Sequence, residues 1–136
     1  MKSKLINFEI HGDDRGSLIA LEKEHNIPFD IKRVYYIFDT EAGVRRGYHA
    51  HKNLKQLAIC VKGSCKFLLD SGYDKTVYNL NEPTKGLYIE GLVWREMFDF
   101  SSDCVLMVLA DAYYDEADYI RSYQDFTTEI NKMKKV

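Results

Sequence analysis

Short segments rich in β-branched and aromatic residues recur along this chain, and turn-forming residues separate them. They lie at residues 18–21, 34–38, 56–61, 65–69, 76–80, 86–89, 94–98 and 104–110. Segments of this length and spacing are typical of a β-sandwich or β-barrel. Only the C-terminal end has helical character, with an acidic first turn at 115–118, and the tail at 127–136 is expected to be a frayed surface segment. The pattern predicts an all-β fold with a short C-terminal helix.

The chain is too short for two ordinary domains. Its 136 residues contain no repeat, linker or low-complexity segment, so residues 1–136 are predicted to form a single domain. Aromatic residues make up 13% of the chain, which excludes disorder because enough apolar surface is available to offset the ordering entropy. Lys and Arg number 19 against 21 Asp and Glu, a net charge of −2, and this balance argues against nucleic-acid binding.

Cysteine usage and hydropathy indicate the compartment. Cys60, Cys65 and Cys104 are odd in number and show no CxxC spacing, which predicts reduced thiols packed as small hydrophobic residues. The N-terminus lacks the apolar run of a signal peptide, and no stretch of about 18 apolar residues occurs that a membrane span would need. We therefore expect a cytoplasmic protein with no membrane span.

The densest group of chemically active side chains is a pair of histidines, His49 and His51. Side chains alternate along a β-strand, so a strand here would present both imidazoles on the same face. The spacing of the first cupin motif, G-x5-H-x-H-x3,4-E-x6-G, is reproduced with Gln in place of Glu by Gly43, His49, His51, Gln56 and Gly63. The chain therefore resembles the cupins, and this resemblance implies a jelly-roll β-barrel.

Two positions of the cupin metal site carry residues that are poor metal ligands. Gln56 stands at the glutamate of the first motif, and Trp94 stands at the histidine of the second motif, which residues 89–94 resemble. A catalytic first-row metal needs at least three good donors, whereas a neutral amide oxygen is weak and an indole N–H only donates. The sequence predicts a barrel with no metal and no other cofactor. Its two imidazoles titrate near neutrality and suit proton transfer.

A narrower family is indicated by several segments in order. They are 14–18 (Asp-Arg-Gly-Ser-Leu), 46–52 (Arg-Gly-Tyr-His-Ala-His-Lys), 94–98 (Trp-Arg-Glu-Met-Phe) and 114–121 (Tyr-Asp-Glu-Ala-Asp-Tyr-Ile-Arg). Together they resemble the nucleotide-sugar 3,4-ketoisomerases, small metal-free cupins that act on dTDP-4-keto-6-deoxyglucose. The resemblance covers about residues 5–127. It implies a dTDP-linked 4-keto-6-deoxyhexose as substrate and a homodimer with exchanged N-terminal strands.

The resemblance also implies a reaction that suits a histidine pair. The C4 ketone acidifies the C3 proton, a base removes it to give an enediolate, and a proton returned to C4 leaves the ketone at C3. One imidazole would move this proton while the other polarises or protonates the sugar oxygen. We predict His51 as the base and His49 as its partner, with the order of the two roles left open.

The pyrophosphate of such a substrate calls for arginine side chains. Arg46 matches the substrate-binding arginine of the family, and Arg121 lies in the matching C-terminal segment. Arg15 and Arg33 are further candidates for substrate contact. The tyrosines that contact the thymine, and the configuration of the product at C4, stay open at this point.

Trp94 and Glu96 are predicted to share the inward face of one strand because they are two residues apart. Trp94 would fill the volume vacated by a metal and its ligand, or else form a wall against the sugar. An inward carboxylate is costly unless it is paired, so Glu96 would orient a histidine or bind a sugar hydroxyl.

Four functions are compatible with these residues. The leading one is the 3,4-ketoisomerase, whose product an aminotransferase would convert to a 3-amino-3,6-dideoxysugar for surface glycans. A 3- or 5-epimerase of the same substrate is the nearest alternative, although such enzymes usually lack the second histidine of the pair. A metal-dependent dioxygenase or isomerase is disfavoured by Gln56 and Trp94, and a non-catalytic nucleotide-sugar-binding cupin is the fourth.

Overall fold

A computed structural model describes residues 3–134, which form two five-stranded antiparallel sheets, a two-stranded ribbon and a C-terminal helix. The strands are β1 (Lys4–Asn7), β2 (His11–Asp13), β3 (Gly16–Leu18), β4 (Arg33–Ile37), β5 (Arg46–His51), β6 (Lys55–Lys62), β7 (Cys65–Asp70), β8 (Lys75–Leu80), β9 (Lys85–Glu90), β10 (Trp94–Phe98), β11 (Val105–Ala110) and β12 (Tyr119–Ile120). The helix α1 spans Tyr123–Lys134.

The two sheets enclose one hydrophobic core. The first sheet has the strand order β1-β9-β6-β11-β4, and the second has the order β12-β5-β10-β7-β8. Cys65, Phe67 and Leu69 alternate on β7 and turn toward Leu87 and Leu106 of the first sheet. Burying a side chain such as Phe67 stabilises the fold by about 2–3 kcal/mol. The prediction of an all-β jelly-roll barrel with a short C-terminal helix is confirmed.

The N-terminal third departs from the predicted strands. β3 ends at Leu18, and the following residues predicted as strand, 19–21, belong to an irregular segment. Ile19 and Leu21 pack against a second cluster, which includes Phe29, on the outer face of the first sheet. Their apolar character therefore reflects burial of side chains rather than strand pairing. β2 and β3 pair with each other as a ribbon.

The C-terminal segment corrects two predictions. The acidic stretch predicted to begin the helix is instead a 3₁₀ turn at Glu116–Asp118, which β12 follows, and α1 begins only at Tyr123. Residues 127–134 are not a frayed surface segment, because α1 buries Phe126 and Ile130 against the outer face of the second sheet. Residues 135–136 lie outside the described part of the chain. Within residues 3–134, no helix combines the length and apolarity needed to cross a membrane.

Candidate active site

Two imidazoles and a tyrosine ring meet on the inner face of the second sheet. His49 and His51 alternate with Ala50 on β5, and their ring centroids lie 4.9 Å apart at nearly a right angle. Tyr119 of β12 pairs with His51 and places its ring 4.3 Å from His51 and 5.0 Å from His49. Ala50 faces the opposite side, in the cluster under α1. The prediction that both imidazoles share one face is confirmed.

The carboxylate of Asp118 holds the ring of His51, the more buried histidine of the pair. His51 is only 1% exposed, and its Nδ1 lies 3.0 Å from Oδ2 of Asp118. The other carboxylate oxygen, Oδ1, accepts the backbone N–H of Asn53 at 2.9 Å. Burial first, and then the nearby Arg95 charge, lower the pKa of His51 to about 2, so the ring is neutral at pH 7. Since an ionised carboxylate only accepts, Nδ1 carries the proton and Nε2 presents a lone pair.

His49 is the more accessible histidine of the pair. His49 is partly exposed, and its Nδ1 has no hydrogen-bond partner among residues 3–134. Burial and the charge of Arg95 lower the pKa of His49 to about 4, so this imidazole is also neutral and able to accept a proton at pH 7. The backbone before it is irregular, with φ of 91° at Gly47 and 59° at Tyr48. This left-handed pair coincides with a register shift against β10.

Sequence analysis missed Arg95, as it missed Asp118 and Tyr119. Arg95 lies opposite His49 on β10 and is only 3% exposed. Its guanidinium donates to the side-chain oxygen of Gln56 and, at 3.0 Å, to the carbonyl oxygen of Val93. Burial lowers the pKa of Arg95 to about 10, which leaves it charged at pH 7. Both acceptors are neutral oxygens, so they leave a buried positive charge beside the two histidines.

Trp94 stands at the position where the second cupin motif has a metal ligand, but its side chain faces out of this barrel. Alternation along β10 places Arg95 and Met97 on the inner face, as it does Val93 just before the strand, and places Trp94 and Glu96 on the outer face. This alternation was visible in the sequence. Equating Trp94 with a metal ligand reversed the assignment of the two faces.

The roles predicted for Trp94 and Glu96 in the pocket are therefore wrong. Trp94 packs beneath α1, with its ring 5.3 Å from that of Tyr123, and its Nε1 donates to Glu96 Oε2 at 3.0 Å. Glu96 Oε1 accepts from Arg45 Nε at 2.8 Å. Glu96 thus shares the face of Trp94 as predicted, but this face packs against the helix instead of the histidines. Trp94 is buried, but it lies beneath α1 on the outer face, so it does not fill the volume of a metal and its ligand inside the barrel either.

The four predicted arginines lie at different distances from the histidines. Arg121 stacks on Tyr119, with the guanidinium carbon 4.3 Å from the ring centroid, and Arg33 lies 5.3 Å from the ring of Tyr35. Both therefore border the histidine site. Arg46 is an exposed residue at the start of β5, three residues before His49. Arg15 has an 87% exposed side chain that pairs with Asp13 on the ribbon, and within one chain the structure does not bring it to the histidines.

The donors of the first cupin motif do not form a good cation site. Gln56 Oε1 accepts from Arg95, and Gln56 Nε2 donates to the Tyr35 hydroxyl at 3.1 Å. A cation between His49, His51 and Gln56 would be repelled by the buried guanidinium. This charge instead favours an anion, and the absence of a metal or cofactor stays a prediction.

Comparison with known proteins identifies close relatives. The chain matches the family described as FdtA: WxcM-like, C-terminal, over residues 1–131. It is 55% identical over 133 residues to a TDP-4-oxo-6-deoxy-alpha-D-glucose-3,4-oxoisomerase of Aneurinibacillus thermoaerophilus, covering 98% of this chain and 96% of that protein.

Two solved structures have the same fold. The first is a mutant of the 3,4-ketoisomerase QdtA from Thermoanaerobacterium thermosaccharolyticum in complex with TDP-4-keto-6-deoxyglucose. It is 49% identical, covers 96% of this chain and 95% of its own, and superposes with a TM-score of 0.93. The second is the TDP-quinovose 3,4-ketoisomerase WlaRB from Campylobacter jejuni. It is 50% identical, covers 93% of this chain and 97% of its own, and has a TM-score of 0.89.

Proposed function

The chain belongs to the FdtA (WxcM-like, C-terminal) family, and we propose from this premise that it moves the keto group of TDP-4-keto-6-deoxyglucose from C4 to C3. It is a sugar 3,4-ketoisomerase like its relatives. The observation that carries the proposal is the 55% identity over nearly the whole chain to a 3,4-oxoisomerase of this sugar. The paired imidazoles beside a buried guanidinium supply the acid–base and anion-stabilising groups that such a reaction needs.

We assign the base to His49, which reverses the order favoured from the sequence. A base must reach the C3 hydrogen, and His49 is the partly exposed imidazole of the pair. His51 has Nδ1 committed to Asp118, and its Nε2 has no hydrogen-bond partner among residues 3–134, which leaves that atom to serve the sugar oxygens. The lowered pKa of His49 keeps its ring in the unprotonated form that can accept the C3 proton.

His51 then serves the sugar oxygens. Moving the ketone from C4 to C3 also requires that the O3 proton leave and that O4 gain one. The Nε2 lone pair of His51 accepts a proton from O3 and returns it to O4, while Asp118 stabilises the imidazolium that forms in between. His49 exchanges the proton taken from C3 with solvent and then delivers a proton to C4, so that no proton or electron is gained or lost overall.

Arg95 supplies the electrostatic stabilisation. The enediolate carries negative charge on its oxygens, and a guanidinium shielded from water stabilises that charge far better than one exposed to solvent. Arg95 is held in place by Gln56 and Val93 before substrate arrives, so little reorganisation is needed during the reaction. Arg33, Arg46 and Arg121 bind the diphosphate at the rim of this site.

We also propose a cytoplasmic homodimer in which the ribbon of β2 and β3 reaches the partner. β1 pairs with β9 of its own chain, which leaves the ribbon as the N-terminal element available for exchange. Leu18 on this ribbon is 60% exposed, as expected for a surface that a second copy covers. Arg15 at its turn would then bind the substrate of the partner. The product would feed an aminotransferase that makes 3-amino-3,6-dideoxysugars for surface glycans.

One incubation tests the reaction. The protein is mixed with TDP-4-keto-6-deoxyglucose in deuterated water, and the sugar is followed by NMR. The proposal predicts a ketone at C3 and deuterium at C4, and the coupling constants of the product give its C4 configuration. A ketone retained at C4 with deuterium at C3 or C5 would indicate an epimerase. Binding of the nucleotide sugar without any exchange would indicate a non-catalytic cupin.

A further inference from the structure

Three thiols converge inside the barrel. Cys60 on β6, Cys65 at the start of β7 and Cys104 just before β11 are free and at most 3% exposed. The sulfur of Cys60 lies 3.4 Å from that of Cys65 and 3.7 Å from that of Cys104, and all three sulfurs lie within 4.8 Å of one another. We call these three residues the thiol cluster. The two strands of one hairpin and the residue before β11 thus direct their sulfur atoms to one point.

The thiol cluster is separate from the active site. Cys60 follows Gln56 by four residues on β6, and a strand advances about 3.3 Å per residue, so the two lie roughly 13 Å apart. The proposed isomerisation uses none of the three thiols. An inference about this cluster therefore does not depend on the proposed function.

The number of donors limits what the thiol cluster can hold. No His, Asp or Glu within the described residues 3–134 joins the three sulfurs as a fourth donor. Structural zinc takes four ligands in tetrahedral geometry, so this site does not match it. Three soft sulfur donors match a soft, three-coordinate centre.

The apolar core around the thiol cluster favours a complex with no net charge. The three thiols belong to the same buried hydrophobic cluster as Phe67 and Leu106, and a net charge in such a core is costly. Three thiolates around a monovalent ion leave a net charge of −2, and around a divalent ion they leave −1. Only a trivalent centre gives a neutral complex.

We propose that the thiol cluster binds one trivalent arsenic atom, supplied as arsenous acid, through the sulfurs of Cys60, Cys65 and Cys104. Three As–O bonds break and three As–S bonds form. Each thiol proton leaves with a hydroxide as water, so three waters are released. Arsenic stays trivalent, and no oxidant or reductant is required. The complex is neutral, as the apolar surroundings demand.

A surface cavity borders one of the three cysteines. It encloses about 250 Å³ at the surface and reaches Cys104, and Tyr36, Phe38 and Ser102 are among its lining residues. Arsenous acid is small and uncharged, so it can enter this partly apolar cavity beside Cys104 without losing the hydration of an ion.

The adjacent turn packs against the thiol cluster. A Cβ atom added at Gly63, in the turn between β6 and β7, would lie 2.8 Å from the Cα of Cys104, so the turn packs directly on this residue. Gly63 has φ of 68°, a conformation that suits glycine. The thiols are therefore held together before a ligand arrives, and preorganisation of this kind favours binding by the folded chain.

The test uses the full-length reduced chain and sodium arsenite. Native mass spectrometry is expected to show one arsenic in place of three hydrogens per chain, and X-ray absorption is expected to show three sulfur neighbours. Cys60→Ala and Cys104→Ala should each weaken binding at least about tenfold, because two thiols remain. Ser102→Ala, which changes the cavity without removing a sulfur, should bind as the unmodified chain does.

Comparison with the unfolded chain separates a built site from simple thiol affinity. Since the fold positions the sulfurs, arsenite should raise the melting temperature of the unmodified chain and raise that of Cys104→Ala less at the same concentration. The proposal is overturned if the chain in denaturant binds arsenite as tightly as the folded chain. It is also overturned if the melting temperature falls, if the cysteine variants bind as the unmodified chain does, or if fewer than three sulfurs surround the arsenic.

Discussion

Replacing Arg95 by methionine tests whether the buried charge serves catalysis. Burial lowers the pKa of Arg95 from 12.5 to about 10, which corresponds to about 3 kcal/mol spent on keeping the charge inside the barrel. Methionine carries no charge, so the substitution removes this unfavourable contribution to the free energy of folding. It also removes hydrogen bonds to two buried acceptors, on Gln56 and Val93, at about 1–1.5 kcal/mol each. The two effects nearly cancel, so we expect the free energy of unfolding of Arg95→Met to change by less than about 1 kcal/mol.

The rate should change far more than the stability. Loss of a preorganised group that stabilises a developing oxyanion typically lowers kcat about 10²–10³-fold. The assay measures kcat and KM by NMR with TDP-4-keto-6-deoxyglucose, alongside urea unfolding of the same preparations. Arg95→Lys is the matched control, because it keeps the charge and loses the planar fork, and it should retain more activity than Arg95→Met. A folded Arg95→Met enzyme with kcat within about threefold of the unmodified enzyme would refute the role of this charge.

Three further predictions follow from the site and its support. Asp118→Asn should lower kcat about 10–100-fold at unchanged KM, because the amide no longer fixes the proton on Nδ1 of His51; equal kcat in steady-state kinetics would contradict this. Trp94→Ala should lower the free energy of unfolding by about 3–5 kcal/mol in urea while kcat of the folded enzyme changes little, whereas a selective loss of kcat would return Trp94 to the pocket. The pKa of His49 is lowered from 6.5 to about 4 in the folded chain, so below pH 6.5 the unfolded chain binds the proton first. Stability should therefore fall by about 3 kcal/mol from this group as the pH drops to 4, and His49→Asn should remove that part of the decline in urea titrations at pH 7 and pH 4.

The barrel and the histidine pair were predictable because they depend on local pattern. Alternation along a strand places His49 and His51 on one face, and the hydrophobic runs of β6, β7 and β11 identify the strands that enclose the core. The segment at 19–21 was mistaken for a strand because apolar residues that pack irregularly have the same composition as a strand.

The remainder of the site depends on contacts between distant residues. Asp118 meets His51 across 67 positions, and Gln56 meets Arg95 across 39, and no spacing in the sequence indicates either contact. The two histidines also differ in how far they are buried. Which imidazole is accessible depends on the placement of β12 and the 3₁₀ turn before it, and the sequence predicted neither element.

The assignment of the two histidines is the central claim, and exchange of the C3 proton tests it most directly. His49→Asn and His51→Asn are each incubated with TDP-4-keto-6-deoxyglucose in deuterated water, after nucleotide binding and thermal melting have shown that both fold. We predict that His49→Asn leaves the C3 hydrogen in place, whereas His51→Asn still exchanges it slowly with solvent and fails to complete the transfer of the ketone. Exchange at C3 that survives in His49→Asn and disappears in His51→Asn would contradict the account.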